Sequence, residues 1–249
     1  MTRPVQSFDK QAHPRLLASV ATLDEVDLAL RCGVDLIDLK DPSSGALGAW
    51  SLASIGAAVR RVAGRRPVSA TVGDLPPVAP TLARAARATA AEGVDIVKLG
   101  FLPGADHRTL ARSLASIGHD VRLVAVLMAD RQPDLDLAAT LADAGFWGVM
   151  LDTADKRAGS LSRHLDHAAL GRFVAAARTH GLVSGLAGSL RLEDVATLAP
   201  LRPDFLGFRG ALCRGGRTES LDPYCLTEVR RAMDGNTCHN RVAANMVSH

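Results

Sequence analysis

The sequence has few cysteines and no long apolar run. Its four cysteines, at positions 32, 213, 225 and 238, contain no Cys-x-x-Cys pair. This pattern gives no disulfide framework and favours a reducing compartment. No stretch approaches the roughly 18 uninterrupted apolar residues of a membrane span, and residues 1–13 lack the apolar segment of a secretory signal. We therefore expect a soluble, cytoplasmic protein without a membrane partner.

An excess of one charge is also lacking. The 29 lysines and arginines nearly balance the 26 acidic residues, which leaves a net charge of +3. The arginines are scattered along predicted helices, as on solvated helix faces, so no nucleic-acid partner is indicated. His164 and His167 have no carboxylate or cysteine at metal-ligand spacing, so we expect neither a metal nor a cofactor.

Lysine is the scarcest of the common charged residues. The chain has 25 arginines but four lysines, namely Lys10, Lys40, Lys98 and Lys156, and the last three lie at or just beyond the ends of apolar runs. Arginine stays protonated at any working pH, whereas a desolvated lysine can lose its proton and form a Schiff base. The three lysines at the ends of apolar runs are therefore candidates for carbonyl chemistry.

Strand-like and helix-like segments alternate eight times along the chain. The expected strands are residues 15–20, 34–40, 67–72, 94–99, 121–128, 147–151, 182–186 and 205–208, and the expected helices are 23–31, 51–63, 82–91, 107–117, 134–144, 165–179, 192–198 and 222–233. Glycines at 33, 64, 93, 118, 145 and 181 mark expected helix ends. This α/β pattern predicts a single (β/α)₈ TIM barrel. The alternative is an open doubly wound sheet, although no Gly-x-Gly-x-x-Gly follows the first strand.

The two ends of the chain lack this periodicity. We interpret residues 1–14 as a short N-terminal extension, residues 15–234 as the catalytic barrel domain, and residues 235–249 as a flexible C-terminal tail. The oligomeric state stays open at this point, and a homo-oligomer is one alternative.

Charged residues cluster at the predicted carboxyl ends of the strands, where TIM barrels have their active sites. They are Asp38 and Lys40 after strand two, Asp74 after three, Lys98 in four, Asp130 after five, Asp152 and Lys156 after six, and Arg209 after eight. Strands two, four and six alternate around a barrel, so their inward side chains share layers and the three lysines should meet at one mouth. A single lysine of this kind could instead be a structural partner of an aspartate. Clustered, buried ammonium groups depress one another's pKa, which favours at least one neutral amine.

Phosphate binding has candidates in the loops after strands seven and eight. These loops often bind phosphate in TIM barrels, and here they contain Gly188-Ser189 and Arg209-Gly210. Small residues let backbone N–H groups approach an anion, although Gly-Ser before a helix can also be only a cap. Gly45 and Gly48, after strand two, suit either a lid hinge or an ordinary turn.

Several of these segments together resemble one enzyme family. Asp38-Leu39-Lys40-Asp41-Pro42, followed by Gly45-Ala46-Leu47-Gly48-Ala49, resembles the opening motif of the (5-formylfuran-3-yl)methyl phosphate synthases of methanofuran biosynthesis. The likeness continues through Val97-Lys98-Leu99-Gly100, Leu151-Asp152-Thr153-Ala154 with Lys156, Leu186-Ala187-Gly188-Ser189-Leu190 and Gly207-Phe208-Arg209-Gly210-Ala211. It covers residues 15–232. Asp41 stands where archaeal members are expected to have asparagine, which leaves open the pathway that uses the product.

The resemblance implies a TIM barrel that joins two molecules of glyceraldehyde 3-phosphate into a phosphorylated furan aldehyde, losing one phosphate and water. It implies Lys40 as the Schiff-base lysine beside Asp38, Asp152 and Lys156 as a proton-transfer pair, Lys98 as a further active-site lysine, and no metal. One alternative is a class I aldolase or transaldolase, which would use the same lysine but release no phosphate. Another is a non-catalytic barrel that binds triose phosphate unchanged.

Overall fold

A computed structural model describes residues 13–235 as a closed barrel of eight parallel strands. The strands are β1 Arg15–Val20, β2 Leu36–Leu39, β3 Val68–Thr71, β4 Ile96–Phe101, β5 Leu123–Met128, β6 Gly148–Asp152, β7 Val183–Leu186 and β8 Phe205–Phe208. Each strand pairs with its neighbour in sequence, and β8 pairs back onto β1 with Gly207 opposite Leu17. The barrel prediction is therefore confirmed, and the doubly wound alternative is wrong.

Helices connect the strands and cover the outside of the barrel. They are α1 Leu23–Arg31, α2 Leu52–Val62, α3 Ala79–Ala91, α4 His107–Ser113, α5 Ala115–Gly118, α6 Ala138–Asp143, α7 His167–Thr179, α8 Asp194–Leu198 and α9 Pro223–Met233. The helix expected over 107–117 is divided in two at Leu114. The helix expected from 134 begins at Ala138, because a short 3₁₀ turn, Ala129–Arg131, and a left-handed Gln132 precede it.

Local side-chain and backbone chemistry fixes the helix ends. The side chains of Thr22, Ser51, Asp106, Asp166 and Asp222 accept hydrogen bonds from backbone N–H groups in the first turns of their helices. Five of the six glycines expected at helix ends have positive φ. The exception is Gly118, the last residue of α5, where an added Cβ would lie 2.4 Å from the Ala144 carbonyl oxygen. Close packing requires that glycine.

Strand alternation divides the buried residues into two layers. In β2, Ile37 and Leu39 pack outward against the helices, whereas Leu36 packs inside the barrel. Asp38 and Lys40 therefore share the inward face with Leu36, because side chains alternate along a strand. The lower barrel interior is apolar, and its upper layers are polar.

The predicted extension (1–14) and tail (235–249) lie almost entirely outside the described residues. Within the described range, no helix has the length and apolar composition of a membrane-spanning segment.

Candidate active site

Asp152 joins two lysines at the top of the barrel. It is the last residue of β6, and its Oδ2 accepts a hydrogen bond from Lys40 Nζ at 3.0 Å. Its Oδ1 accepts from Lys156 Nζ and, at 2.8 Å, from the Thr153 backbone N–H. Asp152 and Lys40 are 4% and 7% exposed. One buried carboxylate thus holds two amines, which come from opposite parts of the barrel, next to the same space.

Asp38 forms a second buried pair one layer below Lys40. Its Oδ1 lies 2.6 Å from Lys98 Nζ and accepts a 2.6 Å hydrogen bond from the Ser69 hydroxyl. Its Oδ2 accepts from the Ser19 hydroxyl at 3.0 Å. Asp38 is fully buried and Lys98 is 4% exposed. Three strands therefore supply the donors that compensate this carboxylate for its lost hydration.

Burial and neighbouring charges shift the pKa values of this cluster. Burial would raise the pKa of Asp152, but the ammonium groups of Lys156 and Lys40 outweigh burial and hold that pKa below its usual value. Burial lowers the pKa of Lys156 to about 8; Asp152 opposes this shift, and Lys40 and Arg217 add to it. Burial also lowers the pKa of Lys98, with Asp38 opposing. Lys156 can therefore exchange a proton near neutral pH.

These groups line one cavity of about 460 Å³. Its walls include the five residues predicted to be catalytic and the four predicted to bind phosphate: Asp38, Lys40, Lys98, Asp152, Lys156, Gly188, Ser189, Arg209 and Gly210. The three lysines meet at one mouth of the barrel. Among residues 13–235, no group of three His, Cys, Asp or Glu side chains is arranged to hold a metal ion.

The other two strand-end aspartates hold the loops around this cavity. Asp74, after β3, accepts from the backbone N–H groups of Ala46 and Leu47 at 2.8 and 3.0 Å. Asp130, after β5, accepts from Ala154 and Asp155 N–H at 2.7 and 2.8 Å. Both aspartates thus bind the loop of an adjacent strand, after β2 and β6 respectively. Their role here is to position backbone beside the catalytic candidates.

A family model described as 4-HFC-P synthase matches residues 16–230. The chain belongs to this family. A (5-formylfuran-3-yl)methyl phosphate synthase from Methanopyrus kandleri is 38% identical over 218 residues, 82% of this chain and 91% of the relative. One from Methanosarcina mazei is 33% identical over 225 residues, 83% and 94% of the two chains. The resemblance inferred from the sequence motifs is confirmed, and the relatives' names support an enzymatic role.

Several solved structures share the fold of this chain at low sequence identity. Phosphoribosyl anthranilate isomerase from Thermus thermophilus superposes with a TM-score of 0.63 at 14% identity, over 90% of this chain and all of that one. A 3-hexulose-6-phosphate synthase superposes with a TM-score of 0.61 at 16% identity, over 88% and 99% of the two chains. At such identities the likeness shows the barrel fold alone.

In this 4-HFC-P synthase family member, the loop after β7 is tied to the loop after β6. The Ser189 hydroxyl donates to the Lys156 carbonyl oxygen at 3.1 Å, and the Gly188 carbonyl oxygen accepts from Leu161 N–H at 2.9 Å. Gly188 and Ser189 have φ values of 107° and 50°. Within the described chain their backbone N–H groups have no acceptor. Both residues line the cavity, and their phosphate role stays a prediction.

Arg209 has contacts that the phosphate prediction did not anticipate. Its Nη atoms donate to both carboxylate oxygens of Glu25 and to the carbonyl oxygens of Ser19 and Glu219. Its Nε donates to the Arg217 carbonyl oxygen at 2.8 Å. These five hydrogen bonds match the five N–H donors of a guanidinium. Arg209 therefore holds the framework of the site, and no N–H group is left for phosphate.

The sequence reasoning missed Ser19, Ser69 and Arg217. The two serines face Asp38 because β1 and β3 pair with β2, with Ser19 and Ser69 both opposite Asp38. Ser19 lies two residues after the inward-facing Leu17, so alternation along β1 could have placed Ser19 inside the barrel. Its pairing with Asp38 depends on the register between β1 and β2, which alternation does not give. Arg217 lies in an irregular segment after β8 and lines the cavity. Its loop has no periodicity from which its position could be predicted.

Proposed function

We propose that this protein condenses two molecules of glyceraldehyde 3-phosphate into (5-formylfuran-3-yl)methyl phosphate through a lysine Schiff base. The atoms balance with the loss of one phosphate and two molecules of water. The proposal assigns the reaction to a catalytic domain of residues 15–234. It rests on family membership together with one geometric observation: three lysines and two buried carboxylates surround a single cavity.

Lys40 is the proposed nucleophile. Its amine would attack the aldehyde carbon of one substrate, and loss of water would leave an imine that acidifies the neighbouring carbon. Removing a proton from that carbon gives an enamine, which expels phosphate from the third carbon and leaves an enol with a nucleophilic methylene end. The second triose, isomerised from aldehyde to ketone, accepts this methylene carbon at its central carbonyl, which forms the new carbon–carbon bond, and two molecules of water are lost as the furan ring closes. What supports this role is the place of Lys40 at the carboxyl end of β2, hydrogen-bonded to Asp152 and nearly excluded from water.

Asp152 and Lys156 are the proposed proton-transfer pair. Each imine, enamine and dehydration step moves a proton, and general acid–base catalysis typically contributes about 10²–10⁴-fold. Lys156 has a pKa of about 8, so it can give and take protons near neutral pH. Asp152 stays ionised and contacts both lysines, which keeps the two amines within reach of the same substrate atoms.

Lys98 and Asp38 are proposed to act on the substrate from below. The Lys98 amine is fixed by Asp38, which is itself fixed by Ser19 and Ser69. A fixed donor of this kind can stabilise the oxygen of a reacting carbonyl without reorganising during the reaction. Backbone N–H groups at Gly188, Ser189 and Gly210 are the proposed phosphate contacts.

Incubation with glyceraldehyde 3-phosphate tests the proposal. We expect ultraviolet absorbance of a furan aldehyde to grow together with free phosphate, at one phosphate per furan. A class I aldolase or transaldolase would form a new carbon–carbon bond without releasing phosphate. A binding barrel would leave the substrate unchanged. Either of these results would refute the proposed reaction.

A further inference from the structure

Arg217 is a cation at the cavity wall without a carboxylate partner. Its Nη2 donates to the Gly45 carbonyl oxygen at 3.2 Å. This hydrogen bond connects the segment after β8, which contains Arg217, to the loop after β2, which contains Gly45. Its side chain is half-buried and lines the cavity. Among the described residues, no Asp or Glu oxygen lies within 4.0 Å of its guanidinium. Most of its five N–H donors are therefore available to a ligand.

The other arginines of the cavity differ from Arg217 in this respect. Arg209 has all its donors occupied, as described above. Arg191 is mostly exposed and lies 3.8 Å from Glu193, and Arg157 is exposed. Burial lowers the pKa of Arg217, and the carboxylates of Asp152, Asp74 and Asp41 oppose this shift from beyond ion-pair distance. Because no carboxylate is in contact with it, the half-buried guanidinium keeps donors for an added anion.

We propose that Arg217 binds the phosphate monoester of a substrate at the cavity mouth, between the loops after β2 and β8. A planar guanidinium fork matches two phosphate oxygens, and such charge-assisted contacts are among the strongest hydrogen bonds. The substrate class follows from the proposed function, which requires two phosphorylated molecules in one cavity. Arg217 supplies one anion site and the backbone N–H groups after β7 supply another.

The contacts of Arg209 place Arg217 for this role. Glu25 accepts hydrogen bonds from Arg209, from Ala21 N–H and from Leu221 N–H, so it joins the β1 loop to the segment after β8. Arg209 then holds the Arg217 backbone through its carbonyl oxygen. A ligand-binding side chain on an irregular loop thus has a rigid attachment, which reduces the entropy lost on binding.

Binding of inorganic phosphate tests the inference without any turnover. Calorimetric titration at constant ionic strength compares the wild type with Arg217→Gln and Arg217→Lys. We expect Arg217→Gln to weaken phosphate binding by about 10- to 100-fold, and the lysine variant to bind with intermediate affinity because it keeps charge but loses the fork. Arg214→Gln is the matched control: it removes the same charge from the same loop, where Arg214 is 74% exposed and paired with Asp222. It should change affinity less than twofold.

The outcomes separate this inference from the proposed function. Equal phosphate affinity in Arg217→Gln and wild type, or equal losses in the Arg217 and Arg214 variants, overturns the inference and leaves the synthase activity untouched. Weakened phosphate binding in a protein that forms no furan supports the anion site and removes the proposed reaction. If Arg217→Gln is unfolded by thermal melting, the lysine variant decides, since unchanged affinity there also overturns the inference. In an active enzyme, Arg217→Gln should raise KM more than it lowers kcat.

Discussion

Replacing Asp152 with asparagine would remove the one negative charge that two lysines share. The variant keeps the size of the side chain but leaves Lys40 and Lys156 without their common counterion. Breaking a buried ion pair by removing one partner typically costs about 3–5 kcal/mol of stability, because a buried charge is left uncompensated. Lys156 can limit this cost by losing its proton, since its pKa is already lowered to about 8 and would fall further without Asp152.

Because Lys156 can lose its proton, the destabilisation of Asp152→Asn should depend on pH. At pH 7 the wild type has a protonated Lys156 stabilised by Asp152, and the variant has lost that stabilisation. Above pH 8 Lys156 is mostly neutral in the wild type as well, so the folded variant no longer carries an unpaired Lys156 ammonium group. The free-energy difference between the two proteins should therefore be larger at pH 7 than at pH 9.5.

Urea unfolding of both proteins at pH 7 and pH 9.5 measures this difference. Asp143→Asn, an exposed carboxylate in α6, is the control and should stay within about 0.5 kcal/mol of wild type at both pH values. Furan formation by Asp152→Asn should fall by about 10²–10⁴-fold. Equal stability of Asp152→Asn and wild type at pH 7, or a destabilisation that grows with pH, would refute the reasoning.

Two further predictions concern the same cavity, and a third concerns the loop after β2. Lys40→Arg should abolish furan formation with little loss of stability, and borohydride during turnover should trap an adduct that mass spectrometry maps to Lys40; an adduct on another lysine contradicts that role. The pH–rate profile should show an apparent pKa near 8, which Lys156→Arg should remove or displace. Gly45→Ala should destabilise the protein by about 1–3 kcal/mol in urea unfolding, and more than Gly33→Ala. Both glycines have positive φ, but only at Gly45 would a Cβ meet the Asp74 carboxylate, at 2.0 Å.

The sequence was sufficient for the barrel and for the side of β2 on which chemistry would occur. Both depend on local periodicity. Period-two alternation puts Asp38 and Lys40 on one face, and the alternation of strand-like and helix-like segments gives eight units. The role of Arg209 could not be predicted, because its partner Glu25 lies 184 positions earlier and meets it only when β8 closes onto β1. The sequence could not decide between a lid hinge and an ordinary turn at Gly45 and Gly48 for the same reason. The close neighbours of these glycines, the Asp74 side chain and the Asp41 carbonyl oxygen, are known only in the folded chain.

The aspartates after β3 and β5 have a consequence for how this barrel can be rebuilt. Asp74 hydrogen-bonds the loop after β2, and Asp130 hydrogen-bonds the loop after β6. A strand with its following loop is therefore not an independent module, although strand and helix units repeat eight times along the chain. Transplanting the β2 or β6 loop into another barrel would carry Lys40 or Lys156 without the aspartate that hydrogen-bonds the loop backbone. Recombination of such enzymes should succeed when the units of β2 and β3, or of β5 and β6, move together.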